Sequence, residues 1–116
     1  MDLQVKELPT LIREWNLEEK VKRIIPNLEY LNNFTVEFVE VIESTECFTL
    51  ARCYYNERKI EIINSRIPEK LKKKVLAHEI CHILDKMIYN HVGHGPSWGT
   101  LMLRMGFDCN MREVIR

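Results

Sequence analysis

Between Pro68 and Asn90 the chain carries Leu71, Val75, Leu76, Ile80, Ile83, Leu84, Met87 and Ile88 at helical spacing. A helix with so broad an apolar stripe has to lie in the middle of a fold, and this constrains every other element. Inside the stripe stands His78-Glu79-Ile80-Cys81-His82. Side chains four apart on a helix share one face, one turn above the other, so these two imidazoles can converge on one ion. Zinc takes neutral imidazole nitrogen readily, and catalytic zinc sites keep one position open for water. Glu79, directly after the first histidine, can serve as general base toward that water. An ordinary core helix with two satisfied histidines would give the same five letters. All four histidines of the chain, His78, His82, His91 and His94, nevertheless fall between positions 78 and 94. That clustering favours a metal centre over a plain core helix.

A chain of 116 residues supports one core, so a single domain over 1–116 is expected. Its hydrophobic content of 46% and charged content of 29% are those of a globular domain, and no apolar run is long enough to cross a bilayer. Met1-Asp2-Leu3-Gln4 opens no basic segment followed by an apolar one, so the expected location is cytoplasmic, with no membrane partner. Cys47, Cys53, Cys81 and Cys109 are scattered and form no CxxC pair, which fits reduced thiols. Seventeen basic and seventeen acidic residues cancel. A net charge of zero argues against binding nucleic acid through the overall field.

Along the chain, residues 9 to 25 have helical spacing, with a break where Asn16 and Glu19 resemble a capping box. A short helical turn over Leu28 to Leu31 follows. Phe34 to Ile42 alternates and then shifts phase, which predicts a strand with a bulge or one buried on both faces. Cys47 to Tyr55 and Ile60 to Asn64 read as two further strands around a loop at residues 56–59. Short connections imply a three-stranded antiparallel meander. Lys70, Lys72, Lys73 and Lys74 read as a solvated first turn and a half of the motif helix rather than a nucleic-acid patch. After the loop His91-Val92-Gly93-His94-Gly95-Pro96, a last helix runs from Ser97 to Met105 with Gly106 as its C-cap. The fold class is therefore α+β: an N-terminal helix, the meander, a central HExxH helix and a C-terminal helix, a zincin-like arrangement.

The pair of motifs His78-Glu79-Ile80-Cys81-His82 and Gly93-His94-Gly95-Pro96-Ser97-Trp98 resembles the SprT-like zinc metallopeptidases, the group that includes the Spartan protease domain. The second motif has that family's GHGPxF or GHGPxW form. Ala51-Arg52-Cys53 and Ile60-Glu61-Ile62 resemble the paired strands that precede the family's metal helix. The resemblance implies one zinc ion held by His78, His82 and His94, with Glu79 as catalytic base in the hydrolysis of peptide bonds. It also implies a protein or peptide substrate, in some members a protein bound on DNA. Many members continue into a zinc ribbon or a DNA-binding extension. Only Cys109 follows the last expected helix, so the expectation narrows to the peptidase core, with weak DNA association.

Chain geometry separately selects His94 over His91. A helix running to Asn90 climbs roughly 12 Å beyond His82 at about 1.5 Å per residue. That leaves His91 near the far end, whereas four more residues recover at most about 13 Å and bring His94 back. Gly93 and Gly95 give the backbone freedom for that reversal. Two other readings remain open at this level. A zincin of another clan would take Glu113 or Asp108 as its third ligand. A zinc-stabilised adaptor would keep the histidines but have no use for Glu79. Peptide docking is expected on the edge of Cys47 to Tyr55, and Tyr54, Tyr55, Tyr89 and His91 are the candidates for stabilising an oxyanion.

Overall fold

The computed structural model describes residues 4–40, 51–63 and 67–108. Four strands form one mixed sheet: β1 (Gln4–Glu7), β2 (Thr35–Val39), β3 (Ala51–Tyr54) and β4 (Lys59–Ile63). Their spatial order is β1-β2-β4-β3. The helices are α1 (Leu8–Glu14), α2 (Glu18–Val21), α3 (Lys72–Tyr89) and α4 (Pro96–Arg104). A 3-10 turn at Leu28–Leu31 is capped by the Asn27 side chain, which accepts from the Glu29 amide at 2.8 Å.

The α+β class is as expected, but the three-stranded antiparallel meander is corrected. β2 and β4 run parallel, in register Val36 with Ile60 and Phe38 with Ile62. β3 pairs antiparallel with β4, with Cys53 opposite Ile60 and Ala51 opposite Ile62. The reason lies in which strand is most apolar. β4 carries three buried isoleucines, Ile60, Ile62 and Ile63, whereas β3 offers Ala51, Arg52, Cys53 and Tyr54. Greatest burial belongs at the sheet centre, so β4 separates β2 from β3 and the β3–β4 hairpin alone survives from the meander. β1 escapes sequence reading because it has four residues and its one apolar side chain, Val5, is exposed. It pairs antiparallel with β2 at the opposite edge. The phase shift after Phe38 reflects burial on both faces at one end. Val39 and Ile63, side by side, are buried opposite to Val36 and Ile60, and no bulge interrupts the register.

One face of the sheet, carrying Val36, Ile60 and Ile62 with Phe38, Ala51 and Cys53 packed against them, meets the helices. The other presents Glu37, Glu61, Arg52, Tyr54 and Lys59, with Lys59 3.9 Å from Glu37 and 3.7 Å from Glu61. The N-terminal helical segment breaks where expected, but not through a capping box. Asn16 adopts φ 57°, and Leu17, the N-cap of α2, makes no side-chain cap. α3 packs on β3 and α4, and its residues from Lys74 to Asp85 are buried without interruption. Lys74 is thus not part of a solvated turn. It is 8% exposed, and its Nζ sits 2.7 Å from Asp108 Oδ1. Among the described residues no helix is long and apolar enough to cross a membrane.

α3 is held by packing, so its interior should be sensitive to truncation. Ile80→Ala, at a side chain with no exposure, is expected to lower unfolding free energy by about 2–5 kcal/mol. Chemical denaturation in the presence of a chelator measures this apart from any metal. A loss under 1 kcal/mol would mean the helix is not the centre of the core.

Candidate metal centre

His78 and His82 stand one turn apart on the buried stretch of α3, 5% and 9% exposed. α3 ends at Tyr89, and Asn90 caps it in the left-handed conformation at φ 53°. Gly93 reverses the chain at φ 110°, where a side chain would be strained. Pro96 then starts α4 at a position that needs no amide hydrogen. The loop between these stops delivers His94. Its Nε2 lies 3.1 Å from that of His78 and 3.1 Å from that of His82, which are 3.2 Å from each other. The structure thus brings His94, and not His91, against His78 and His82.

Trp98 forms the floor. It is 2% exposed, its ring stacks on His82 at 21° and 5.4 Å, and it meets His78 and His94 edge-on at 4.9 and 4.8 Å. Its Nε1–H donates to the His78 carbonyl at 3.3 Å. The sequence reading treats Trp98 as one apolar position of a helix, although the spacing of the second motif already put it four residues past His94.

Three ring nitrogens in mutual contact pose a problem that hydrogen bonding cannot solve. Each Nε2 is either a donor or an acceptor, so in any triangle at least two are alike and oppose each other. Nδ1 of His78 and of His82 is buried with no hydrogen-bond partner among the described residues. Burial and the neighbouring rings hold both imidazoles in the neutral form, His78 lowered to about 3 and His82 to about 4. Neutral imidazole with an inward lone pair is the ligand form. Nitrogens bound about 2.0–2.1 Å from a tetrahedral zinc stand about 3.4 Å apart, close to the spacing present. The residues fit a cation, and these three are the group among the described residues able to hold one.

Glu79 is 4% exposed, with Oε2 3.7 Å from His78 Nε2. Burial raises its carboxyl to about 8. β3 lies alongside: the same buried carboxyl adds to burial in pushing up the Cys53 thiol and the Tyr55 hydroxyl. Of the four groups weighed for an oxyanion, Tyr54 is on the polar face between Arg52 and Lys59, and Tyr89 is exposed at the end of α3. His91 is joined to Asp85. Tyr55 is left; it lines a cleft with Ile83 and Met87 of α3, and burial pushes its hydroxyl up. Asp108, weighed as a third ligand, pairs with Lys74 instead. Glu113, Cys47 and Cys109 lie outside the described residues.

Compared with known protein families, residues 17–114 match the SprT-like family, and the chain belongs to it. No curated protein and no solved structure matched the chain.

The buried titratable groups set an optimum for the metal-free protein. An imidazole held below its ordinary 6.5 binds its proton more tightly once unfolded, so acid favours unfolding from about 6.5 downward. A carboxyl raised from 4.5 to about 8 holds its proton more tightly when folded, so base favours unfolding across that interval. Two imidazoles outweigh one carboxyl below 6.5, and the carboxyl acts alone above it. Melting temperature in chelator should peak near pH 6–7; a profile still rising at pH 8 would contradict the burial of Glu79.

Proposed function

We propose that this chain is a zinc-dependent metallopeptidase in which His78, His82 and His94 hold the ion and Glu79 is the general base. The observation that carries this reading is the buried carboxyl of Glu79 beside three converging imidazoles. A purely structural zinc site is closed by four protein ligands, and three converge here among the described residues. When bound, zinc supplies Lewis acidity, acidifying a water and polarising the scissile carbonyl. Glu79 accepts the water proton on its carboxylate and then delivers it to the leaving amine. Burial holds the Glu79 carboxyl up in the metal-free protein, and a cation held by the adjacent histidines would draw it back toward the carboxylate that accepts the proton. Trp98 keeps solvent from the underside of the three rings and fixes their orientation. The substrate is an extended peptide aligned on β3, the edge strand beside α3, by main-chain hydrogen bonds. Tyr55, the first residue of the turn after β3, is the group we assign to the developing oxyanion.

Purified protein should bind about one zinc per chain, and a strong chelator should abolish cleavage of an unstructured protein such as casein. Glu79→Gln should keep zinc and fold while cleavage falls about 10²–10⁴-fold, the usual contribution of a positioned base. Cleavage at the wild-type rate by that variant would reassign the base. Zinc bound with no cleavage by the wild type would favour an adaptor role.

DNA association is proposed to be weak. Of the lysines near the start of α3, Lys70 and Lys73 are exposed, whereas Lys74 is committed to Asp108. Fluorescence anisotropy with a labelled oligonucleotide should show binding that fades between 50 and about 200 mM salt. Tight binding at the upper salt would reveal a basic surface that these residues do not supply.

A further inference from the structure

Asp85 is a buried acidic side chain on α3 that the mechanism above does not use. It follows His82 by three residues on the same helix face and has no exposure. A carboxylate in that position is costly unless something compensates it. Its Oδ2 lies 2.5 Å from Nδ1 of His91, while Oδ1 has no hydrogen-bond partner among the described residues. The His91 backbone N–H also donates to the Asp85 carbonyl at 3.4 Å. His91 is therefore fastened to α3 twice, at the first residue past the Asn90 cap.

The loop then returns against the His91 ring at one point. Gly93 turns the chain, and Gly95 passes so close that a Cβ there would stand 2.9 Å from both Cε1 and Nε2 of the ring. His94 sits between the turn and the contact. The ring of His91 thus stands against the loop directly after the third ligand.

We propose that the Asp85–His91 pair is a positioning device for His94. The carboxylate clamps the His91 ring to α3, Gly95 packs against that ring, and His94, the residue before it, is held in advance against His78 and His82. The inference rests on reading the three histidines as a zinc site. His91 touches no reacting atom in this scheme; it acts through His94. Without the clamp the loop has to be ordered at each binding event, and that cost is subtracted from zinc affinity.

The test is the zinc dissociation constant of the full chain, by competition with a chromophoric chelator, with metal-free melting temperature measured in parallel. His94→Ala locates the ion: it should remove binding at this site. His91→Ala and Asp85→Ala should each weaken binding about 10–100-fold, the usual range for residues that support a ligand. His91→Asn, whose amide N–H can replace Nδ1–H, should recover part of the loss. His91→Phe keeps a ring against the loop but no donor and should not. Gly95→Ala, with Asp85 and His91 both intact, should also weaken zinc by pushing the ring aside. A merely structural pair would move the melting temperature and leave the dissociation constant unchanged. Wild-type affinity in both His91→Ala and Gly95→Ala would overturn the proposal. If Asp85→Ala does not fold, those two variants decide, because the His91 side chain is 38% exposed and its removal opens no core cavity. Absence of zinc binding by the wild type would instead refute the metallopeptidase reading before any variant is compared.

Discussion

Three imidazole nitrogens within 3.2 Å of one another cannot all satisfy one another, and the rest of the molecule is arranged to keep them there regardless. The cost of that crowding has to be met by packing elsewhere. α3 meets it with a buried run from Val75 to Leu84 against β3 and α4. Trp98 meets it by covering the rings with indole surface rather than with solvent. The sheet contributes at one remove, since the isoleucines of β4 fix where β3 lies and so where Glu79 finds its wall. Remove the triangle and little in this arrangement would need to be as it is.

The site was far more legible in the sequence than the sheet. His78, Glu79 and His82 follow from the period of a helix, and His94 from the length of chain between two stops, Asn90 and Pro96. Both are local rules, independent of the remainder of the fold. The sheet order depends instead on competition among strands for the centre, which no single strand reveals. β4 wins because Ile60, Ile62 and Ile63 outweigh Ala51 and Cys53. That is a comparison across the chain, and it turns an expected meander into a parallel pair. β1 illustrates the other failure: four residues with one exposed valine carry too little pattern to register at all.

Single charged residues inside apolar runs carried more meaning than their surroundings suggested. Lys74 ends a lysine cluster and reads as solvated, yet it is buried against Asp108 and ties the segment after α4 back to the start of α3. Asp85 directly follows Ile83-Leu84 in the apolar run, and it is the most deeply buried acid of the helix. In each case the partner lies beyond the next turn of chain, at Asp108 or His91, where helical periodicity has no information to offer. A charge placed against the pattern is the residual signal, and here it marked a tertiary contact both times.

The stacking of Trp98 on His82 also has an optical consequence. An indole lying 5.4 Å from one imidazole and under 5 Å from two more has its excited state exposed to whatever those rings carry. A cation bound by those rings would be the largest local charge beside the indole, and indole emission responds to such a charge. The chain has one other tryptophan, Trp15, packed beside Phe38 of β2. The protein therefore contains its own chromophore at the floor of the site. The state of the three rings can be followed by light, without label or substrate.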